Sequence, residues 1–189
     1  RSNRPRIIAI AIFAGIFLGV FAAFMRRALQ TALEDPAQIE QAFGVPVYAS
    51  IPHSKLQQTL ASRSTDPARL PLLARIASMD AAIESLRNFR SALQFCMSQS
   101  RNNVVLITGP TEGLGKSFVS VNLACVMAAS GKRALLIDGD LRDGHLHRYF
   151  HAERSVGLSD LLAGAPLDAV LRRELMENVD FISTGNLPP

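Results

Sequence analysis

At 189 residues the chain is long enough for one ordinary domain plus an appendage, and its 20 basic and 16 acidic side chains leave a formal net charge of +4. That excess is local, because residues 1–27 hold five arginines and no acid while everything after them sums to −1. The distribution excludes the extended basic surface of a nucleic-acid-binding protein, so no nucleic acid partner is expected.

The first element in chain order is apolar. From Ile7 to Met25 no side chain is charged or polar; as a helix this run is about 28 Å long, close to the ~30 Å hydrocarbon core of a bilayer. A signal peptide has a shorter apolar region and a small-residue cleavage site, whereas here Arg26 and Arg27 follow directly and Arg4 and Arg6 precede. The expectation is one transmembrane helix with basic flanks over 1–27, in which Gly15 and Gly19 form a G-x-x-x-G pair that lets two helices approach closely. Arginines are nearly balanced across the run, so the positive-inside rule does not orient it.

Residues 28–77 are punctuated by Pro36, Pro46, Pro52, Pro67 and Pro71 and are read as a juxtamembrane segment and linker. Within them Val47–Ile51 has the composition of a short strand, and the stretch from Ser54 to Ala68 reads as flexible linker. A helix is expected over 79–98, with Ile83, Leu86, Leu93 and Phe95 among its apolar positions. On it Glu84, Arg87 and Arg90 recur every three residues and share one broad face. This is either a solvated face with a weak ion pair or a contact with a neighbouring copy.

Val104–Ile107 reads as a buried parallel strand, followed by Gly109-Pro110-Thr111-Glu112-Gly113-Leu114-Gly115-Lys116-Ser117. A glycine-rich turn between strand and helix lets backbone N–H groups converge on phosphate oxygens, with a lysine for the outer phosphates and a serine hydroxyl for Mg²⁺. The plain motif is G-x-x-x-x-G-K-[ST]; here Pro110 takes the first-glycine position and the glycine lies one residue earlier. A helix with apolar Phe118, Val121, Leu123, Ala124 and Met127 is expected next, stopped at Gly131. It leads into a second apolar run, Arg133–Ile137, that ends in Asp138-Gly139-Asp140-Leu141-Arg142.

Strand, crossover helix and strand make a parallel pair whose carboxyl ends open on one edge, where α/β sheets bind ligands. Asp138 and Asp140 are therefore expected near the phosphates, where carboxylates hold Mg²⁺ through its waters or accept a proton. His145 and His147 follow, but an H-x-H pair without further ligands reads as a packing or surface feature. Cys96 and Cys125 have no metal-type spacing and read as reduced packing residues. Val179–Ile182 has the pattern of one more strand. No later strand ends in a metal-handling aspartate, the chain starts on Arg1 and stops at Pro188-Pro189, and the sequence is read as incomplete. The expected fold class is α/β, a P-loop NTPase-type parallel sheet with flanking helices, preceded by the membrane helix, with the nucleotide domain over 78–189. ATP chemistry then places the residues after Arg27 in the cytoplasm.

These features together resemble the bacterial tyrosine kinases of polysaccharide co-polymerases, which control capsule and exopolysaccharide synthesis. The resemblance runs through the membrane helix, Gly44-Val45-Pro46-Val47 followed by Ile51-Pro52, Glu84-x-x-Arg87-x-x-Arg90, the shifted loop, Asp138-x-Asp140-x-Arg142, Gly157-Leu158-Ser159-Asp160 and the terminal Pro-Pro. It implies an ATP-dependent protein-tyrosine autokinase at the inner membrane, with ATP and Mg²⁺ as cofactors. Gly109, Thr111, Gly113, Leu114, Gly115, Lys116, Ser117 and Phe118 would bind nucleotide. Ser117, Asp138 and Asp140 would handle the metal, and Lys116, Asp138 and Asp140 would be catalytic. Glu84, Arg87 and Arg90 match the family's oligomerisation motif, which implies a ring of identical subunits that phosphorylate one another beside the polysaccharide polymerisation and export machinery.

Glu112 stands where many members have proline, and the Walker B element and C-terminal tyrosine cluster of the family are absent from these residues; only Tyr48 and Tyr149 are present. Two other functions fit the motifs. One is a non-catalytic chain-length regulator. The other is a membrane-anchored ATPase of the partitioning type, although Thr111 stands where those proteins carry an extra lysine.

Overall fold

A computed structural model of the chain describes residues 4–29, 36–63, 66 and 69–186. It divides into two compact units, Arg1–Val47 and Tyr48–Pro189. In the first, α1 runs from Arg4 to Leu29 and α2 from Pro36 to Phe43. Proline opens α2, where its missing N–H costs nothing. The helix closes at Gly44, whose φ of 65° continues a chain turn that donates to the Glu40 carbonyl at 2.9 Å. Side chains of α1 are described at Arg4 and from Ile12 to Arg26. Among the described residues no helix is long and apolar enough to cross a membrane.

The second unit is built around α6, Lys116–Ala128. Val121, Asn122, Leu123, Ala124, Cys125, Val126 and Ala128 on this helix are all buried, the all-round apolar character of a central helix. On one side it packs with Leu73 of α4 (Leu73–Ile76) and with Ile83 and Leu86 of α5 (Ala81–Ser98). On the other, Val121 and Cys125 meet Phe181, Leu146 and Tyr149. The α5 helix starts where Asp80 accepts from the Ala82 N–H at 2.9 Å, an N-cap that replaces one orphan bond of the first turn.

A three-stranded sheet lies beside α6 in the order β1-β3-β2, formed by Ala134–Ile137, Val179–Ile182 and Arg172–Met176 respectively. The two strands β1 and β3 are parallel, with Ala134 opposite Val179 and Ile137 opposite Ile182. The third strand, β2, returns antiparallel to β3 through a turn in which Asn178 takes a φ of 60°. The sheet is thus mixed rather than wholly parallel.

Three expectations are corrected. Val104–Ile107 forms no ladder; Val104 and Leu106 are 79% and 84% exposed, while Ile107 packs on the α5–α6 cluster. A continuous apolar run signals a strand covered on both faces, and here only one face is covered. The supposed linker after Ser54 holds a helix, α3, over Lys55–Arg63. Its start was legible as Ser54-Lys55-Leu56-Gln57, a capping-box pattern: the Ser54 hydroxyl accepts from the Gln57 N–H at 3.1 Å and donates to Asp80 Oδ2 at 2.8 Å. Val47–Ile51 is without helix or strand.

Candidate functional site

The loop before α6 owes its course to glycine. Gly113 and Gly115 take φ of 76° and 86°, a region that costs any side-chain-bearing residue. A Cβ at either would meet nothing within 4 Å, so backbone angle rather than space demands glycine there. At Gly109 the reason is space: a Cβ would sit 3.2 Å from Leu114 Cδ1 and 3.5 Å from Lys116 Cδ. The displaced glycine thus lets the loop close over its own base. Gly115 is the N-cap of α6 and offers no side-chain cap, leaving the positive end of the helix dipole for an anion.

Lys116 opens α6 and bends back, donating from Nζ to the Thr111 carbonyl at 2.7 Å. Ser117 and Phe118 follow in the same turn; Phe118 packs on the α5–α6 cluster and accepts from Asn122 Nδ2 at 2.8 Å. Asn122 is fully buried and its Oδ1 accepts from the Ala74 N–H at 2.8 Å. It ties α4 to the helix that carries the loop.

Both aspartates stand where β1 ends. The Asp138 N–H donates to the Ile182 carbonyl at 2.9 Å, prolonging the parallel ladder. Its buried carboxylate accepts from Leu146 N–H at 2.9 Å and Asp140 N–H at 3.3 Å, so it holds both ends of the loop that follows the strand. The Asp140 Oδ1 accepts from Asp143 N–H at 3.0 Å and Arg142 N–H at 3.2 Å. These bonds, the Asp143 one foremost, hold the Asp140 carboxyl below its usual range, with the charges of His145 and Lys116 acting the same way. The charge of Lys116 thus acts on the Asp140 carboxylate.

Sequence reasoning left several residues of this edge without a role. Gly144 lies so close to β3 that a Cβ would overlap the Thr184 hydroxyl and the Asp140 carbonyl oxygen. Ser183 and Thr184 are fully buried. Residues Gly157–Asp160 dock against them. Leu158 and Ser159 N–H groups donate to the Ser183 and Thr184 carbonyls at 2.8 and 2.9 Å, and Asp160 Oδ2 accepts from Gly157 N–H at 2.8 Å. The Gly157 bond lowers the Asp160 carboxyl pKa. The Gly-Leu-Ser-Asp motif is thus a brace for the carboxyl end of β3.

On α5, Arg87 Nη1 pairs with Glu84 Oε2 at 2.6 Å, whereas Arg90 turns inward and donates to the Val126 carbonyl of α6 at 3.3 Å. The three residues do not form one free face. His145 Nδ1 lies 2.9 Å from the Asp143 carbonyl oxygen, and burial lowers the His147 pKa, with Arg154 adding to the effect. Among the described residues no cluster of three or more His, Cys, Asp or Glu could hold a metal ion.

The CobQ/CobB/MinD/ParA nucleotide binding domain family matches residues 105–154, which span the loop and both aspartates. The tyrosine-protein kinase ptk of Acinetobacter johnsonii is 41% identical over 98% of this chain and 26% of its own length. Among solved structures, the BceF tyrosine kinase domain superposes with a TM-score of 0.76 at 44% identity, over 84% of this chain and 65% of that one. In sequence and in fold the chain is similar to bacterial tyrosine kinases. The kinase domain of the Escherichia coli tyrosine kinase ETK agrees, with a TM-score of 0.74 at 38% identity over 84% of this chain and 62% of that one. The chain spans about a quarter of the length of the curated relatives it matches.

Proposed function

We propose that the chain is the phosphate-loop portion of an ATP-dependent protein-tyrosine autokinase that regulates capsular or exopolysaccharide polymerisation and export. The observation that carries this reading is the glycine-rich loop that leaves the N-terminus of α6 without a side-chain cap at Lys116, followed along the chain by β1 and its two aspartates. Phosphoryl transfer asks little covalent chemistry of a protein; it asks for positioned charge around the transferring group. Gly109, Thr111, Gly113, Leu114, Gly115 and Phe118 shape the loop, and Lys116 neutralises phosphate charge. Asp138 and Asp140 stand where an incoming tyrosine hydroxyl would lose its proton.

The residues fit Mg²⁺, since Asp140 takes both backbone bonds on Oδ1 and so can turn Oδ2 to a cation. Ser117 and Asp138 would complete the hold, and the ion would supply charge stabilisation on the phosphates.

The apolar run Ile7–Met25, folded as the backbone of α1 with its described side chains exposed, supports a membrane anchor. In this reading the residues after Arg27 face the cytoplasm at the inner membrane. Glu84 and Arg87 face a neighbouring copy in a ring that phosphorylates itself in trans, and Arg90 fastens α5 to α6 behind that face. Incubation of the protein with ATP and Mg²⁺, beside a Lys116→Met variant, tests the activity: phosphotyrosine that depends on Lys116 supports it, and its absence overturns it.

A further inference from the structure

The chain has two tyrosines, and the structure treats them in opposite ways. Tyr149 is 8% exposed and sits in the core with Leu72, Val121, Cys125, Leu146 and Phe181. No kinase can reach a phenol in that setting without unfolding it. Tyr48 is 54% exposed, lies in a stretch of 44–54 with neither helix nor strand, and is the first residue of the second compact unit. An acceptor must enter a catalytic cleft as extended chain, and backbone free of helix or sheet bonds does so without breaking any. The pKa of the Tyr48 hydroxyl is raised, chiefly by the neighbouring Cys96 thiol, so the phenol is neutral and needs a base.

We propose that Tyr48 is a phosphorylation site of this chain, modified by a second copy. The inference rests on the kinase reading for its catalyst. In the reaction Tyr48 Oη forms a bond to the γ-phosphorus of ATP while the bond from that phosphorus to the β–γ bridging oxygen breaks. ADP leaves with the electron pair, and the phenol proton passes to a carboxylate at the β1 edge and on to water. The product has a consequence for the neighbouring helix end. Cys96 belongs to the last turn of α5, the negative end of the helix dipole, where a phosphate dianion is repelled. Phosphorylation would therefore move the Tyr48 side chain away from the end of α5.

The test has two arms, with phosphotyrosine located by peptide mass spectrometry because Tyr149 is a core residue that tolerates no clean substitution. In one arm the chain is incubated with ATP and Mg²⁺ alone, with Lys116→Met as control; in the other the ETK kinase domain is added as catalyst. Phosphate at Tyr48 in either arm, at least tenfold above Tyr149 and lost in Tyr48→Phe, supports the proposal. No phosphate at Tyr48 in either arm, while ETK labels itself, overturns it. Labelling of Tyr48 only in the second arm keeps the acceptor and refutes the kinase reading of the chain itself.

Discussion

Replacing Asn122 with alanine removes one hydrogen-bond acceptor from a site where water cannot enter. The first turn of α4 has Leu72 at its N-cap, a residue with no side-chain acceptor, and Asn122 Oδ1 reaches across from α6 to take the Ala74 N–H at 2.8 Å. Asn122 itself is 0% exposed. The donation from Nδ2 to the Phe118 carbonyl matters less, because a helical carbonyl keeps its backbone partner. Orphaning a buried N–H costs about 1–3 kcal/mol, so we take about 2 kcal/mol for Asn122→Ala. For a unit of about 140 residues the unfolding entropy is about 0.3 kcal/mol/K, which converts this loss to about 7 °C in melting temperature. Asn122→Asp retains the acceptor but buries a charge, so it should destabilise more at neutral pH and less where the carboxyl is protonated. Thermal unfolding followed by circular dichroism measures both. A melting point of Asn122→Ala within 2 °C of the parent would refute the claim that this bond positions α4 on the loop helix.

Gly144→Ala must push the Asp140 loop off Thr184 and should cost about 3 kcal/mol, the upper range for overpacking, read from urea midpoints. Asp138→Asn keeps the volume but turns one N–H donor toward Leu146 or Asp140; a loss of about 1–3 kcal/mol and faster proteolysis within 139–145 are expected. His147 sets a pH dependence. Its folded pKa is depressed below 6.5, chiefly by burial. Below that value the unfolded chain binds the extra proton and the folded chain does not, so stability falls as pH drops from 6.5 toward the folded pKa. Urea titrations in that window should show a slope that His147→Gln reduces; an unchanged slope would contradict the assignment.

Local chemistry made much of this fold readable. The apolar faces of α5 and α6, the Gly131 stop and the runs at 134–137 and 179–182 each announce their element through periodicity or turn residues, and the loop announces itself through glycine, lysine and serine. What sequence left hidden depends on contacts distant along the chain. Asn122 on Ala74, Gly144 under Thr184 and Gly157–Asp160 braced on Ser183 carry no local period. Val104–Ile107 misled for the same reason, since apolar composition states a preference for burial without naming the partner that supplies it. Arg90 spends its guanidinium on the Val126 carbonyl, a bond set by how α5 crosses α6.

The central claim is that the loop and the β1 edge form one nucleotide site. Equilibrium titration of a fluorescent ATP analogue, with and without Mg²⁺, tests it on the parent, Lys116→Met and Asp140→Asn. The account predicts Mg²⁺-dependent binding by the parent, weakened at least tenfold by each substitution while the melting temperature of Lys116→Met stays within 2 °C. Equal affinity in parent and Lys116→Met, or binding indifferent to both substitutions, would contradict it.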